Sequence, residues 1–149
     1  MDDAKIEKAT RRARFLLSDG TDVDGDVFVG LYEPHHIGPQ RVGELINDEG
    51  PFLPVKTGGG TLLLNRRHVV HVTMPSEWEA DELATLGKRY TVVVSLVTGQ
   101  SLDGVIFVNL REGASRVKDY FNQPVAFLPL FRQGWIVYLN RDFIRSIQD

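Results

Sequence analysis

The sequence predicts a mainly β protein with short helices, in which two small bent β-barrels follow one another along the chain. Two similar stretches begin at Phe52 and Phe127, 75 positions apart, and internal repetition of this kind is the first guide to an architecture. In both stretches apolar and polar residues alternate around glycine-containing turns, as in β-hairpins. The chain has 149 residues, 42% of them apolar, which suffices for two small cores. We therefore predict a first repeat over residues 1–74 and a second over residues 75–149.

Composition excludes several classes of protein. The chain contains no cysteine, so disulfides, thiol catalysis and cysteine-ligated zinc are excluded. Its net charge of -3 argues against attraction of the whole surface to nucleic acid, although a local basic patch is compatible with it. No apolar run is long enough to cross a bilayer, and the first residues lack the basic and apolar regions of a signal peptide. These features predict a cytoplasmic protein without membrane contact.

The first part of each repeat is predicted to be a β-hairpin. Residues 2–12 have the pattern of a short helix, and the hairpin follows, with a turn at Gly20 in the first repeat and at Gly99 in the second. An Asp-Gly pair interrupts the second strand of both hairpins, with its glycine at Gly25 and Gly104, 79 positions apart. Glycine inside an apolar run indicates a bulge or a sharp bend, and a bent second strand closes small barrels.

A short helix is predicted between the two hairpins of each repeat. Arg41 and Arg116 precede apolar residues at helical spacing that end in an asparagine, which tolerates the left-handed conformation at a helix end. An arginine in the first turn is badly placed for the helix dipole, so we expect it to have a specific partner. The acidic residue three positions on, Glu44 or Asp119, is the favoured partner, and a barrel carbonyl or a ligand are the alternatives.

The second hairpins and the connection between the repeats carry further signals. Pro54 and Pro129 place their strands at a sheet edge or a bulge, because proline lacks the ladder donor. Between the repeats, Ser76 and Glu79 form a capping-box pattern that predicts a helix to about Leu86.

The two cores are expected to depend on phenylalanines that recur in both repeats. Truncating a buried phenylalanine to alanine typically costs about 3 to 5 kcal/mol, so these residues would be anchors of the fold. They are Phe28, Phe52, Phe107 and Phe127.

The histidines do not form a recognisable catalytic or metal-binding pattern. His35 and His36 lie in a stretch rich in proline and glycine that we interpret as a surface loop. His68 and His71 lie in a predicted strand, where they would face opposite sides. We therefore predict no metal site, no cofactor and no catalytic residue. An enzyme built on His35, His36 or His68 is a third hypothesis, from a different class.

Each repeat resembles the Sm-like (Hfq-like) proteins, whose fold is an N-terminal helix followed by a five-stranded bent barrel of the SH3 type. Their first motif, Gly-x-x-apolar-x-Gly, matches residues 20–25 and 99–104. Their second motif is an apolar residue, a two-residue polar turn and two further apolar residues at intervals of three, and it matches residues 64–72 and 139–147. The resemblance spans most of the chain and implies two tandem Sm-like barrels, each with an inserted short helix.

The resemblance also suggests where a ligand would bind. Sm-like proteins read uridine-rich RNA with an Asp-x-apolar-Asn element after the second strand and an Arg-Gly turn before the fifth. This chain has a loop and a helix at the first place and Asn-Arg at the second. By position, Asn65, Arg66, Asn140 and Arg141 inherit a ligand-binding role, in which arginine contacts phosphate or stacks on a base and asparagine reads a base edge. The alternative is that asparagine shapes the turn and arginine is solvated.

The leading functional hypothesis is a non-enzymatic binding or assembly module of unknown ligand. The repeated residues are structural and include no set of acid, base and nucleophile. RNA or nucleotide binding through the Asn-Arg turns of an Sm-like ring is the alternative. Because Sm-like barrels assemble edge to edge, we expect self-association or a protein partner, and three chains would make a ring of six barrels. Pro54 and Pro129 act against such edge pairing.

Overall fold

The computed structural model describes residues 8–31, 38–48, 50–80, 84–111 and 113–149. Within these residues the chain is mainly β with few short helices, as predicted. The strands are β1 (Lys8–Leu17), β2 (Asp22–Gly30), β3 (Phe52–Thr57), β4 (Gly60–Asn65), β5 (Val69–Pro75), β6 (Lys88–Leu96), β7 (Ser101–Val108), β8 (Phe127–Arg132), β9 (Trp135–Asn140) and β10 (Ile144–Gln148). The helices are α1 (Val42–Ile46) and α2 (Val117–Phe121), and short 3₁₀ turns cover Arg66–His68, Ser76–Trp78 and Arg141–Phe143.

The ten strands of the described chain form one open antiparallel sheet. Their order is β10-β6-β7-β8-β9-β5-β1-β2-β3-β4. The prediction of two separate barrels, each with its own sheet, is therefore wrong. The physical reason lies at the centre of the sheet, where β5 pairs with β9 and continues the sheet from one half of the chain to the other. Backbone N–H and C=O groups on a strand edge need partners, and here two edges satisfy one another.

The strands before and after residue 75 occupy separate halves of this sheet. The N-terminal block (β1 to β5 with α1) has the order β5-β1-β2-β3-β4, and the C-terminal block (β6 to β10 with α2) has the equivalent order β10-β6-β7-β8-β9. One buried cluster includes Phe15 and the other includes Leu130. Each cluster includes residues of the other block: Tyr138 of β9 belongs to the cluster with Phe15, and Val70 of β5 belongs to the cluster with Leu130. The division into domains at residues 74 and 75 stays a prediction.

The hairpins form where the sequence predicts them, and the glycine of each repeated Asp-Gly pair has a steric explanation. β2 and β3 share a single register pair, Asp26 with Lys56, and β7 and β8 share the single pair Val105 with Phe131. A Cβ on Gly25 would stand 2.8 Å from the backbone oxygen of Lys56. A Cβ on Gly104 would stand 2.7 Å from the backbone oxygen of Phe131, where β7 approaches β8 in the same way. Only glycine allows the two backbones to approach this closely.

The two short helices follow Arg41 and Arg116 as predicted, whereas the N-terminal helix does not extend as predicted. Strand β1 begins at Lys8, so the prediction of a helix over residues 2–12 is wrong from residue 8 onward, and residues 2–7 lie outside the described residues. Residues 8–12 pair with the far end of β2, up to Gly30. Cross-strand pairing has overridden a weak helical pattern.

The helix predicted between the blocks is also absent from the described part of its span. A single 3₁₀ turn covers Ser76–Trp78, residues 84–87 are not helical, and residues 81–83 lie outside the described residues. The Trp78 side chain is 57% exposed, with the guanidinium of Arg11 4.4 Å from its ring centre. Leu86, near the end of the predicted helix, is 46% exposed.

The predicted phenylalanine anchors are correct only in part. Phe127 is 2% exposed and belongs to the core, and Phe107 is half-buried with its ring against Phe131. Phe28 and Phe52 are exposed by 38% and 56%, so the prediction is wrong for these two. Side chains alternate between the faces of a strand, so a shift of one residue in the face assignment exchanges buried and exposed positions.

Replacing Gly25 or Gly104 by alanine is expected to lower the free energy of unfolding by about 1 to 3 kcal/mol. The new methyl group would collide with the backbone of the next strand, β3 or β8 respectively. Gly58→Ala is the matched control, since a Cβ at Gly58 meets no atom within 4 Å. Denaturant titrations of the three variants measure the difference. Equal losses at all three positions would contradict the close approach of the strands.

Candidate assembly interface and ligand-binding residues

The junction between the blocks is a five-residue antiparallel pairing of β5 with β9. It runs from His71 opposite Leu139 to Pro75 opposite Trp135. Strand β9 lies between the two cores: Tyr138 packs into the N-terminal cluster, whereas its neighbour Val137 packs into the C-terminal cluster. Both faces of β9 are consequently covered by protein, and burial of apolar surface on both faces stabilises the junction.

An asparagine at the end of α1 fastens the C-terminal block to the N-terminal block. The Asn47 side-chain amide donates to the backbone oxygen of Phe127 at 3.0 Å, and its Oδ1 accepts from the backbone N–H of Phe127 at 2.8 Å. Asn47 thus satisfies both backbone groups of the first residue of β8, as a neighbouring strand would. The backbone φ of Asn47 is -93°, so this asparagine is not used for a left-handed helix end.

A buried carboxylate provides a second link across the junction. Glu79 is 2% exposed and accepts hydrogen bonds from the N–H groups of Val42 (2.9 Å) and Gly43 (3.0 Å) at the start of α1. The hydroxyl of Tyr138 in β9 donates to the same carboxyl group at 2.5 Å. Burial raises the pKa of Glu79 above its ordinary value, and these three donors act in the opposite direction. Desolvation of the carboxylate has the larger effect.

The close fit around Glu79 depends on glycine at position 43. A Cβ on Gly43 would stand 2.7 Å from the Tyr138 hydroxyl oxygen and 2.6 Å from a carbon of its ring. Any side chain at this position would displace Tyr138 from Glu79. In α2 the residue at the equivalent position is Lys118, so the two helices present different surfaces to a strand packed against them.

The predicted ligand-binding residues of the first repeat have structural partners. The Oδ1 of Asn65 accepts from the Arg67 N–H at 3.1 Å and so caps the 3₁₀ turn that follows β4. The guanidinium of Arg66 donates to the backbone oxygen of Ile46, the last residue of α1, at 2.6 Å. This carbonyl at the helix end is therefore satisfied by the turn.

The second repeat uses its two residues in the same way. Asn140 Oδ1 accepts from the Asp142 N–H at 3.0 Å, and Arg141 donates to the backbone oxygen of Gln123, just after α2, at 2.7 Å. Asn140 is buried, and its amide also donates to the backbone oxygen of Val69 at 2.8 Å, which joins the second turn to the first. A ligand-binding role for the four residues of the two turns stays a prediction.

The repeated arginines before the helices take part in helix capping. The Arg116 guanidinium donates to both carboxylate oxygens of Asp119 at 2.9 and 3.2 Å, which is the favoured partner predicted from the sequence. The Arg41 backbone N–H donates to Glu44 Oε1 at 2.7 Å. In both helices the acidic residue accepts from the backbone of the capping arginine.

The histidines within the described residues do not converge. His68 lies in a 3₁₀ turn with its Nδ1 3.3 Å from the hydroxyl of Ser18, and His71 in β5 contacts Gln100. The described residues contain no group of three or more metal-ligating side chains. His35 and His36 lie outside the described residues.

The strand equivalent to β9 in the N-terminal block is exposed. Residues 136–140 of β9 are all buried, whereas in β4 only Leu64 is buried. Leu62 and Leu63 are 42% and 61% exposed, and Phe52, which precedes them on β3, is 56% exposed. Strand β4 ends the sheet, so these apolar side chains and one edge of its backbone have no neighbouring strand in the described chain.

The opposite end of the sheet contains an open cleft. Strand β10 is the last strand there, and it borders a cleft of about 480 Å³ together with α2. Phe121, Asn122 and Ile147 are among the lining residues. The equivalent space beside α1 and β5 is filled by β8 and β9. The two ends of the sheet therefore differ: β4 exposes apolar side chains, whereas β10 borders an open cleft that such side chains could fill.

Three residues that hold the junction were not recognised from the sequence. In the sequence, Asn47 has the pattern of a helix end, and Glu79 has the pattern of a capping box that begins at Ser76. Tyr138 is indistinguishable from an ordinary strand residue, yet all three bind across the junction. The one available signal was the difference between the repeats, because Tyr138 stands where the first repeat has Leu63.

No known protein family, characterised protein or solved structure shows significant similarity to this chain. Among the described residues, no helix is long and apolar enough to cross a membrane.

Replacing Glu79 by glutamine is expected to lower the free energy of unfolding by about 1 to 3 kcal/mol, because the amide group cannot accept from all three donors. The folded protein holds the Glu79 proton more tightly than the unfolded chain. The contribution of this group is therefore fully present below about pH 4.5 and falls as the pH rises through the raised pKa. Denaturant titrations at several pH values should show the difference between wild type and variant shrinking as the pH increases.

Glu77→Gln is the control, because Glu77 is exposed and lies only two residues away. It should change stability by less than about 0.5 kcal/mol at every pH. A Glu79→Gln variant as stable as Glu77→Gln would contradict a structural role for this carboxyl group.

Proposed function

We propose that the chain is a non-enzymatic, self-associating binding module whose copies join head to tail. In this arrangement β4 of one copy pairs with β10 of the next, as β9 pairs with β5 within the chain. The observation that carries the proposal is the contrast between β9 and β4, which occupy equivalent places in the two blocks but differ in burial. An exposed apolar edge strand is an adhesive surface.

The register of the internal junction defines the register expected between copies. Val72 lies opposite Tyr138 within the chain. Moving both positions by the 75-residue repeat distance places Ile147 of one copy opposite Leu63 of the next. Ile147 lines the cleft beside α2, and Leu63 is the most exposed of the large apolar side chains on β4. The pairing would bury apolar surface that is now in contact with water, which favours association.

The polar link at the end of the helix also has an equivalent. Asn122 ends α2 as Asn47 ends α1, and its side-chain amide donates to the Lys118 carbonyl at 2.8 Å. Asn47 makes the matching bond to Gly43 and in addition binds the backbone of Phe127. The residue equivalent to Phe127 is the exposed Phe52. Asn122 would hold the backbone of Phe52 from a second copy in the same manner.

The contact between copies would lack one feature of the internal junction. Leu63 stands in place of Tyr138 and has no hydroxyl group, so it cannot donate to a buried carboxylate as Tyr138 does to Glu79. We therefore expect the interface between chains to be weaker than the internal junction. A head-to-tail interface of this kind gives a closed ring when its rotation closes and a filament when it does not. Three chains would supply six blocks.

The proposal predicts that two edge variants are each unable to associate with themselves but can join each other. Leu63→Lys places a charge on β4 and leaves β10 intact, and Ile147→Lys does the reverse. Each variant alone should sediment as a monomer, whereas wild type should sediment as a larger species. An equimolar mixture should give a dimer containing one copy of each, because one intact β4 and one intact β10 are present.

Leu86→Lys is the matched control, since Leu86 is exposed to a similar degree but lies on neither end strand. It should leave the wild-type mass unchanged. Thermal melts verify that each variant is folded. A wild-type monomer at concentrations up to about a millimolar, or a mixture that behaves like its two components, would contradict head-to-tail association.

RNA or nucleotide binding through the Asn-Arg turns is the second candidate function. The observation in its favour is that Asn140 donates to the backbone of the first turn, at Val69 and, at 3.5 Å, at Arg66. The two turns therefore lie side by side, and head-to-tail association would repeat this contact between chains. Arg67 adds an exposed cation to the first turn. Several cations at a regular spacing suit a phosphodiester backbone.

If the turns bind RNA, replacing Arg66 and Arg141 by glutamine should weaken the binding of a labelled uridine- or adenine-rich oligonucleotide and flatten its salt dependence. Binding is measured at two salt concentrations. The double variant Lys88→Gln, Arg111→Gln removes the same charge elsewhere and is the control. Because Arg66 and Arg141 also bind helix-end carbonyls, thermal melts must accompany the titrations. Equal effects of the two double variants would contradict a site at the turns.

A further inference from the structure

A groove of about 1000 Å³ lies over the central strands of the sheet. Its floor contains residues of β5 that alternate with core residues: His71 and Thr73 line the groove, whereas Val72 points into the N-terminal core. Strands β1, β6, β7 and β9 supply most of the remaining lining, so both blocks contribute to one site. The four residues of the Asn-Arg turns are not among its lining residues.

The groove is positively charged although the chain as a whole is negative. Its lining includes four arginines and two aspartates, which gives a formal charge of +2, against -3 for the complete chain. The arginines come from three strands, β1, β6 and β8, so the fold gathers them from distant parts of the sequence. They are Arg12, Arg14, Arg89 and Arg132, and the aspartates are Asp24 and Asp103.

Two of these arginines are held by carboxylates and two are available for an anion. Arg14 binds both oxygens of Asp24, at 3.2 and 3.1 Å, and Arg132 donates to an aspartate of β7 at 3.2 Å. Arg12 is only loosely paired, at 3.7 Å from Asp26. The Arg89 guanidinium makes no hydrogen bond or ion pair with the described residues. Arg89 is therefore the main cation with donors to offer to a ligand.

An exposed indole stands at the same groove. Trp135 is 50% exposed and begins β9, opposite Pro75 of β5. A tryptophan with a free face offers a surface on which a flat ring can stack, and stacking on a base contributes about 1 to 3 kcal/mol. The amide side chains of Gln100 and Gln133 also line the groove and can donate and accept hydrogen bonds.

The histidine on the floor contributes hydrogen bonding and not charge. His71 Nε2 lies 3.1 Å from Gln100 Oε1. Burial lowers the pKa of His71, so the imidazole is neutral at neutral pH. The positive charge of the groove therefore comes from arginine alone and does not change over the physiological pH range.

We propose that this groove binds a nucleoside phosphate, with the phosphate at Arg89 and Arg12 and the base on Trp135. The combination of cations, a free aromatic face and amide groups matches a ligand that has an anionic end and a flat polar ring. An acidic peptide would use the arginines but would leave the indole without a stacking partner. The volume lies at the upper end of that of ordinary small-molecule sites. This site belongs to a single chain and requires neither β4 nor β10, so it is independent of self-association.

Isothermal titration calorimetry of the full chain with ADP and UDP tests the proposal, with adenosine and inorganic diphosphate as probes that lack one half of the ligand. We expect both nucleotides to bind and both fragments to bind at least about tenfold more weakly. Arg89→Gln should weaken nucleotide binding by about tenfold or more, since it removes charge-assisted hydrogen bonds. Trp135→Leu should weaken binding by a similar factor while leaving inorganic diphosphate unaffected.

Arg111→Gln is the matched control, because Arg111 is exposed and outside the groove. It should bind nucleotide as wild type does. The Leu63→Lys variant should also bind normally, which separates failure of this proposal from failure of self-association. The proposal is overturned if neither nucleotide binds at millimolar concentration, or if Arg89→Gln and Trp135→Leu bind as tightly as Arg111→Gln. Binding only of oligonucleotides, and only through Arg66 and Arg141, would also overturn it.

Discussion

The backbone pairing of β5 with β9 is the contact on which the rest of the structure depends. It joins two five-stranded blocks into one sheet and places β9 between two cores, where both of its faces are covered. Asn47 and Glu79 then attach α1 to the strands of the other block, at Phe127 and Tyr138. The Glu79 carboxyl group is buried, and a buried polar group is costly unless it is paired, so its hydrogen bonds favour this register of the junction.

Local features of the fold could be predicted from the sequence, whereas the arrangement of sheet edges could not. Gly25 and Gly104 could be recognised as special positions, because a glycine within an apolar run indicates that another backbone approaches closely there. The face assignment was wrong for Phe52 but correct for Phe127, although the two have the same place in the repeat. Their difference arises because Phe127 packs into the core of the other block, whereas Phe52 has no second block beside it in the described chain. Alternation within a strand carries no information about such packing.

The candidate site shows the same limit. Asn65 and Asn140 could be recognised as turn residues, and both cap 3₁₀ turns. The pattern around Glu79 was that of a capping box, but its carboxyl group caps a different helix, 36 residues earlier in the chain at Gly43. The sequence does not say which helix an acidic residue will cap, because a local and a distant acidic side chain can both accept hydrogen bonds from the free N–H groups at a helix start. Arg12 and Arg14 of the groove already stand close together in the sequence, but Arg89 and Arg132 come near them only when the blocks join.

The differences between the repeats explain why one junction is internal and the other is proposed to be intermolecular. Tyr138 reaches Glu79 because Gly43 leaves room for its ring, and in the second repeat Lys118 stands where Gly43 would be needed. A contact built on Leu63 has no such requirement and needs only an apolar cleft. The internal junction thus combines buried apolar surface with a hydrogen bond from Tyr138 to Glu79 that requires glycine at position 43. A contact between the free ends of two copies would have the apolar surface but not this hydrogen bond. The fraction of associated chains would then depend on protein concentration, while the groove over β5 and β9 would persist in every state of assembly.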